Sequence, residues 1–243
     1  MTGPWERTAL LLGGEAIEIL SRKKVAVFGI GGVGSWCCEA LGRSGIGHLA
    51  LFDHDTVSLS NLNRQLVALR STVGRQKVAV MADRLRDIDP DITVEEHPIF
   101  YMPENADTID LSGYDCIVDA IDTVTAKLCI IERATALGVP IISSMGTGNK
   151  LHPEKLVAAD LSKTDTCPLA RVMRHELRRR GIEHLRVVYS TESPLTPQNR
   201  SEPAPEGQPR PKDTPGSSPF VPSSAGLLIA SEVIQKLLGQ AEW

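Results

Sequence analysis

Four charged side chains are spaced so that they could act together on one nucleotide. Asp53 and Asp122 each follow an apolar segment, and Arg64 and Lys77 lie between them. A carboxylate at the position of Asp53 can accept hydrogen bonds from ribose hydroxyls. Arginine and lysine can neutralise a triphosphate, and a carboxylate such as Asp122 can hold Mg²⁺ among the phosphates. Hydride transfer needs no such cluster, whereas attack of a carboxylate on an α-phosphate does.

Three of these residues also have a simpler interpretation. Arg64 and Lys77 could be solvated surface charges, and Asp122 could be the N-cap of a helix. All three follow predicted strands, and the carboxyl ends of parallel strands form the ligand edge of an open α/β sheet. The set therefore favours a nucleotide site over three unrelated surface charges.

A glycine-rich turn precedes these residues. Its four glycines follow a short β-branched segment and come before a predicted helix; they are Gly29, Gly31, Gly32 and Gly34. Glycines let the backbone turn tightly and let a nucleotide approach it, and a helix N-terminus offers free N–H groups to phosphate. Asp53 lies 19 residues beyond Gly34, as in dinucleotide-binding folds. The turn alone fits a nicotinamide-dependent dehydrogenase as well as an ATP-dependent enzyme.

The pattern of apolar residues predicts the elements that must position this site. Predicted strands alternate with helices in the first 150 residues; the strands are 24–28, 48–52, 92–96, 115–118 and 139–143, and the helices are 6–20, 33–44, 77–89 and 123–137. This alternation predicts an α/β, Rossmann-like fold with a mainly parallel sheet and helices on both faces. Residues 1–150 are interpreted as the ATP-binding core.

Residues 151–243 are predicted to be a C-terminal α+β extension that completes the same domain. The expected elements are a strand at 157–161, a basic helix at 167–180, a strand at 184–190 and a closing helix at 227–238. Residues 193–222 contain nine of the sixteen prolines. Such a composition buries too little apolar surface to offset chain entropy, so a mobile loop is predicted there.

Composition excludes several classes of protein. The net charge of −4 gives no overall field that would attract nucleic acid, so any RNA contact requires a local basic patch. No apolar run approaches the roughly 20 residues of a membrane span, so no membrane insertion is expected. The five cysteines are odd in number and four lie in segments predicted to be buried, which predicts reduced thiols in a cytoplasmic protein. They form no Cys-x-x-Cys pair, so no zinc is expected.

Four motifs together resemble the ubiquitin-activating-like adenylating enzymes of the ThiF, MoeB and HesA type. They are the Gly-x-Gly-Gly-Val-Gly-Ser turn, the block from Asp53 to Gln65, the Gly-x-x-Lys helix start at Lys77 and the Asp-x-x-Asp strand end at Asp122. The resemblance covers about residues 5–150. It implies ATP and Mg²⁺ as cofactors and leaves a monovalent cation open.

The resemblance also implies roles for individual residues. Gly32 would lie against the nucleotide, Asp53 would bind its ribose, and Asp122 would coordinate Mg²⁺. The triphosphate would be lined by two amides and two cations, which are Asn61, Asn63, Arg64 and Lys77. Arg7 matches an arginine that reaches across a dimer interface to the partner's ATP, so a homodimer is implied.

The second half of the chain narrows this resemblance to one branch. The sulfur-carrier-activating enzymes typically hold zinc on two Cys-x-x-Cys pairs, which this chain lacks. The segments 141–150 and 166–174 instead resemble the tRNA threonylcarbamoyladenosine dehydratases. In that branch ATP activates the threonine carboxylate of a threonylcarbamoyl group on a tRNA adenosine, and loss of AMP closes a ring. A tRNA substrate is therefore implied, and a sulfur-relay protein partner stays open.

A basic helix is the predicted tRNA contact. Five arginines lie within ten residues, and those predicted to bind tRNA are Arg171, Arg174, Arg178 and Arg179. Positions 171, 174 and 178 fall on one helix face, from which arginines can follow phosphates. An ordinary solvated helix face is the alternative.

Cys167 is a further candidate, because it begins this helix beside the arginines. Such an environment lowers the pKa of a thiol, and some adenylating relatives form an acyl thioester on a cysteine. A cysteine that takes no part in the reaction is the alternative.

Three other functions stay open at this point. The first is an enzyme that adenylates the carboxyl terminus of a ubiquitin-like sulfur carrier, which the missing zinc cysteines disfavour. The second is a nicotinamide-dependent dehydrogenase, which the Asn61–Gln65 block and Lys77 disfavour. The third is a non-enzymatic, ATP-bound adaptor in a sulfur-relay complex, which the intact set of Arg64, Lys77 and Asp122 disfavours.

Overall fold

A computed structural model of the chain describes residues 3–198 and 215–243. Seven strands form one sheet; they are β1 Lys24–Phe28, β2 His48–Phe52, β3 Thr93–His97, β4 Cys116–Asp119, β5 Ile141–Ser144, β6 Leu156–Asp160 and β7 Arg186–Ser190. Seven α-helices accompany them; they are α1 Glu6–Leu12, α2 Gly14–Leu20, α3 Gly34–Arg43, α4 Lys77–Ile88, α5 Val124–Leu137, α6 Pro168–Arg178 and α7 Phe220–Leu237.

The strand order is β3-β2-β1-β4-β5-β7-β6, and only β6 runs antiparallel to its neighbour. The order reverses between β1 and β4, which is the position where open α/β sheets bind ligands. Register aligns Phe28 with both Phe52 and Asp119, and Asp119 with Ser143. The carboxyl ends of four strands therefore meet at one edge, as the Rossmann-like prediction requires.

Helices cover both faces of the sheet. One buried cluster contains residues of α3, α4 and α7, and the other contains residues of α5 and α6. α7 lies against α3, and the contact is so close that a Cβ at Gly226 would overlap the carbonyl oxygen of Val33. Strands with apolar residues on both faces are typical of such a covered parallel sheet.

The N-terminal helix differs from its prediction. A single helix over 6–20 was expected, but α1 and α2 are separate because Gly13 has φ 89° and ψ 154°. That conformation interrupts the helical hydrogen bonds, and glycine adopts it without steric cost. The apolar periodicity across 6–20 does not reveal this break.

The closing helix also differs from its prediction. It begins at Phe220 instead of 227, so the loop predicted over 193–222 is wrong for its last three residues. Pro222 lies in the first turn of α7, where a proline lacks only an N–H that would have no helical partner. Residues 199–214 of that predicted loop lie outside the described residues. No helix in the described chain is long and apolar enough to cross a membrane.

Candidate nucleotide-binding site

A cavity of about 530 Å³ lies at the edge where the carboxyl ends of β1, β2, β4 and β5 meet. Its wall combines the glycine-rich turn, the charged residues after β2 and β4, and a segment from the C-terminal third. The residues predicted from sequence that line it are Gly29, Gly31, Gly32, Asp53, Asn61, Arg64, Lys77 and Asp122. The fold thus gathers most of the predicted site into one place.

The glycines of the turn serve two different purposes. Gly34 packs so closely that a Cβ there would overlap the carbonyl oxygen of Gly29, and a Cβ at Gly29 would lie 2.7 Å from the oxygen of Ala120. Gly31 and Gly32 face the cavity and have no main-chain atom this close to them. The first pair lets the turn close against β4, and the second leaves bare backbone for a nucleotide to approach.

Asp53 is fixed by main-chain groups. One carboxylate oxygen accepts a hydrogen bond from the Ile30 N–H at 2.7 Å, and the other accepts one from the Asp55 N–H at 2.9 Å. These bonds orient the carboxylate between the glycine turn and the end of β2. Each oxygen keeps a lone pair that a ribose hydroxyl can use.

Lys77 is the buried cation of the cavity. Its side chain is 5% exposed, and its Nζ lies 2.7 Å from Oδ2 of Asp55 and 4.0 Å from Oδ1 of Asp53. Burial alone would raise the pKa of Asp55, but the hydrogen bond and charge of Lys77 outweigh burial and hold that pKa below its ordinary value. The ammonium is therefore held at the wall by carboxylates, where it can meet phosphate.

Arg64 also lines the cavity and is held there by its neighbours. The guanidinium of Arg64 donates to the Ser60 carbonyl at 3.1 Å and to Oδ1 of Asn63 at 2.9 Å. The Asn61 side chain accepts a hydrogen bond from the Ser58 N–H. Asn61 is the last residue of a short 3₁₀ helix and lines the cavity. Asn63 itself is exposed, and its amide donates to the Ser217 carbonyl at 2.9 Å. The Asn63 side chain therefore links Arg64 to the segment that precedes α7.

Asp122 is suited to a hard cation. It lines the cavity and is exposed, and its only side-chain contact among the described residues is the Thr123 hydroxyl at 3.4 Å. Carboxylate and phosphate oxygens are the ligands that Mg²⁺ prefers. Asp53, His54 and Asp55 also bring ligand atoms within 4.8 Å of one another, but the ammonium of Lys77 already pairs with Asp55 at 2.7 Å. Asp122 therefore fits Mg²⁺ best.

An aromatic wall was not predicted. Phe28 and Phe52 stack at 4.1 Å between ring centroids, Tyr101 meets Phe28 edge-on at 5.0 Å, and all three line the cavity. His54 and Phe100 form a second pair at 4.4 Å. In the sequence Phe28 and Phe52 end segments that are interpreted as buried strands, and only the placement of these strand ends beside the turn shows that they face a cavity.

A segment of the C-terminal third closes the far side of the cavity. Pro215, Gly216 and Ser217 line it together with Gly146 and Gly148. Asn149 fixes this segment, because its N–H donates to the Gly216 carbonyl at 2.7 Å and its Oδ1 accepts from the Gly216 N–H at 2.6 Å. Asn149 adopts the left-handed conformation, with a φ of 58°. This conformation cannot be recognised from the sequence, so the contact between Asn149 and Gly216 was not predicted.

Cys167 does not line the cavity. It is 2% exposed and lies behind Gly146, where a Cβ would be 3.6 Å from its Sγ. Lys150 is also buried there and donates to the Gly146 carbonyl at 2.8 Å. Burial lowers the pKa of Lys150, against the opposing effects of Cys167 and Glu192. The thiol is thus placed to support the wall from behind.

The arginines of α6 are not equivalent. Arg174 is half-buried and donates to the Thr164 carbonyl at 2.6 Å, and Arg179 lies 3.6 Å from Glu176. Arg171 and Arg178 are exposed and have no carboxylate within ion-pair distance in the described part of the chain. These two are the free charges of the predicted face.

Arg7 lies on α1, away from the cavity of its own chain. α1 has no buried residue, and Leu10 and Leu11 on it are exposed. The structure does not bring Arg7 to the nucleotide site within one chain.

The model of the ThiF family matches residues 6–243. The chain belongs to the ThiF family. A tRNA threonylcarbamoyladenosine dehydratase of Bacillus subtilis (strain 168) is 40% identical over 247 residues, which cover 100% of this chain and 97% of that protein. The crystal structure of the E. coli tRNA N6-threonylcarbamoyladenosine dehydratase TcdA with ATP superposes with a TM-score of 0.86 and 32% identity. That alignment covers 98% of this chain and 94% of TcdA.

A relative with a different activity in its name matches less of this chain. The adenylyltransferase and sulfurtransferase MOCS3 of Culex quinquefasciatus is 38% identical over 148 residues, which are 61% of this chain and 33% of that protein. The similarity to the dehydratases extends through the C-terminal third, as the segments 141–150 and 166–174 predict.

We expect that Cys167→Ser in this ThiF-family protein keeps catalytic turnover within about twofold of wild type. The physical reason is that Sγ is buried behind Gly146 and does not line the cavity. Turnover is measured at saturating substrate, and Cys129→Ser, at a half-buried cysteine, is the control. Loss of turnover in a folded Cys167→Ser protein would restore the thioester hypothesis.

Proposed function

We propose that this chain is an ATP-dependent tRNA threonylcarbamoyladenosine dehydratase. One observation carries the proposal: Arg64, Lys77 and Asp122 line the same cavity as the glycine-rich turn. The alignment with dehydratases from end to end and the ATP complex of the E. coli relative support it.

The geometry suits adenylation followed by ring closure. Asp53 orients the ribose, and Arg64 and Lys77, which line the same cavity, provide positive charge to the phosphates. The threonine carboxylate attacks the α-phosphorus, the bond to the bridging oxygen breaks and pyrophosphate leaves. A nucleophilic atom of the substrate's own carbamoyl group then attacks the activated carbonyl and releases AMP, so the nucleoside loses one water. Fixed cations stabilise the charge that develops at the α-phosphate.

Mg²⁺ belongs to this proposal, with Asp122 as its protein ligand. Bound there, it would neutralise phosphate charge and assist the departure of pyrophosphate. Among the described residues of the wall, Asp55 is paired with Lys77 at 2.7 Å, whereas Asp122 has no cation within ion-pair distance. A dependence on a monovalent cation is tested by exchanging K⁺ for a large organic cation in the same assay.

A homodimer is the second part of the proposal. Arg7 is exposed on a helix without buried residues, so it is available to a neighbouring chain. Exposed leucines on the same helix, Leu10 and Leu11, give that face an apolar character suited to an interface. We further propose a cytoplasmic location, which agrees with five unpaired cysteines.

Arg171→Gln with Arg178→Gln is expected to weaken tRNA binding and flatten its salt dependence. Each lost phosphate contact lowers the slope of log K against log salt by about 0.7–0.9, so the pair lowers it by about 1.5. Binding is measured by fluorescence anisotropy between low and moderate salt. Arg22→Gln is the control, because Arg22 precedes β1 and lies at the sheet edge opposite the cavity. An unchanged slope would leave α6 as an ordinary solvated helix.

One assay tests the function itself. The protein is incubated with ATP, Mg²⁺ and threonylcarbamoylated tRNA, and AMP release is compared with the mass of the modified nucleoside. The proposal requires AMP and the loss of one water together, and neither with unmodified tRNA. AMP formation only with a ubiquitin-like carrier protein would instead identify a sulfur-carrier-activating enzyme. A sulfur-relay protein added to the assay tests that partner by its effect on turnover.

A further inference from the structure

A fully buried ion pair lies beneath the strand end that carries Asp122. Asp119 is the last residue of β4, and Lys127 closes the first turn of α5. Nζ of Lys127 lies 2.9 Å from Oδ2 of Asp119, and both side chains are 0% exposed. No other ion pair among residues 3–198 and 215–243 has both side chains completely inaccessible to solvent.

The two charges hold one residue of the intervening turn from both sides. Oδ1 of Asp119 accepts a hydrogen bond from the Ile121 N–H at 3.1 Å, and Nζ of Lys127 donates to the Ile121 carbonyl at 3.0 Å. The hydroxyl of Ser143, the register neighbour of Asp119 on β5, donates to Oδ2 at 2.6 Å. The carboxylate, the ammonium and the turn are therefore bonded directly to one another.

The turn held in this way is a wall of the nucleotide site. Ala120, Ile121 and Asp122 all line the cavity, and the Ala120 carbonyl lies against Gly29 of the glycine-rich turn. Asp122 is exposed, and the Thr123 hydroxyl provides its only side-chain hydrogen bond in the described chain. The position of the Asp122 carboxylate therefore depends mainly on the main chain of the turn.

Stability does not explain why the pair is buried. Removing two charges from water is costly, and well-packed apolar residues of similar volume often stabilise a protein as much or more. Apolar side chains, however, could hold neither the N–H nor the carbonyl of Ile121. The ion pair provides a donor and an acceptor of fixed geometry where the chain leaves β4.

We propose that Asp119 and Lys127 are positioning residues that fix the turn at Ile121 and thereby present Asp122 to the metal ion of a bound nucleoside triphosphate. This inference rests on the proposed function, which gives Asp122 its magnesium role. It adds the two residues that make a solvent-exposed carboxylate a preorganised ligand. Loss of an outer partner typically costs a metal site about 10–100-fold in affinity.

The test is metal binding in the absence of turnover. Mn²⁺ replaces Mg²⁺ and is titrated by electron paramagnetic resonance into the full chain saturated with a non-hydrolysable ATP analogue. The double variant Asp119→Asn/Lys127→Met removes both charges at nearly constant volume. We expect its Kd for Mn²⁺ to rise about tenfold, with affinity for metal-free AMP within twofold of wild type.

Matched variants separate positioning from folding. Arg186→Met/Glu232→Gln neutralises another ion pair, between β7 and α7 and away from the cavity, and should leave Mn²⁺ affinity unchanged. Ser143→Ala removes one hydrogen bond from Asp119 and keeps both charges. It therefore tests the positioning role even if the double variant fails to fold. Its Kd for Mn²⁺ should rise about twofold to threefold, and a wild-type value would overturn the proposal.

Asp122→Asn distinguishes this inference from the proposed function. If Asp122→Asn weakens Mn²⁺ binding and the double variant binds Mn²⁺ like wild type, the positioning role is wrong and the magnesium role stands. If Asp122→Asn itself binds Mn²⁺ like wild type, the magnesium role is wrong and the inference falls with it. Weaker metal binding in both variants, with AMP affinity preserved in the double variant, supports the proposal.

Discussion

Lys77→Met lowers kcat for AMP formation by about 10²–10³-fold, the range expected when a fixed charge that stabilises a transition state is removed. The ammonium of Lys77 is buried at the cavity wall and held by Asp55. A cation from solvent therefore cannot replace the charge that the substitution removes. Methionine has a similar length, so packing at the start of α4 is retained. Initial rates of AMP release at saturating ATP and tRNA measure the effect.

The same variant should leave tRNA affinity within twofold of wild type, because Lys77 is buried and cannot reach the tRNA backbone. Lys163→Met is the matched control, since it makes the same change at an exposed lysine and should keep kcat. The unfolding temperature is measured for both proteins. A folded Lys77→Met protein with a kcat within threefold of wild type would remove Lys77 from the chemistry.

Gly34→Ala is expected to lower the free energy of unfolding by about 3 kcal/mol, the upper part of the usual range for overpacking. The new Cβ would overlap the Gly29 carbonyl oxygen. Both partners are main-chain atoms, so relief requires moving the glycine-rich turn or the start of α3. ATP affinity should therefore fall at least about tenfold even in the folded fraction.

Gly113→Ala is the control for this prediction. A Cβ at Gly113 has no neighbour within 4 Å, so its unfolding free energy should change by less than about 0.5 kcal/mol. Urea denaturation measures stability, and calorimetry at a temperature where both proteins are folded measures ATP affinity. A Gly34→Ala protein with wild-type stability and ATP affinity would contradict the close packing of Gly34 against the Gly29 carbonyl.

The fold and the family were predictable because their signals are local. Short apolar segments predict the parallel strands, and the motif spacing from Gly29 to Asp122 predicts which strand ends carry polar residues. Topology then places those ends at one edge, which the sheet order confirms. The resemblance to ThiF-type enzymes is likewise confirmed by the family match.

The remaining features depend on contacts between distant residues. Nothing local distinguishes Phe52, which lines the cavity, from an ordinary core residue, and nothing local shows that Asn149 binds Gly216. The spacing of Arg171, Arg174 and Arg178 predicts a common face, but the hydrogen bond from Arg174 to Thr164 is visible only in the structure. The break at Gly13 similarly depends on a backbone conformation that several environments permit.

The packing of α7 on α3 affects the order in which this site can form during synthesis. A Cβ at Gly32 would lie 3.2 Å from Cβ of Pro222, and Pro222 lines the cavity. The ribosome makes the glycine-rich turn about 190 residues before this proline, at roughly 5–20 residues per second. A growing chain thus carries an incomplete nucleotide wall for many seconds. The complete cavity becomes available to ATP only after Pro222 has left the exit tunnel, so the parallel sheet begins to assemble before its nucleotide site is complete.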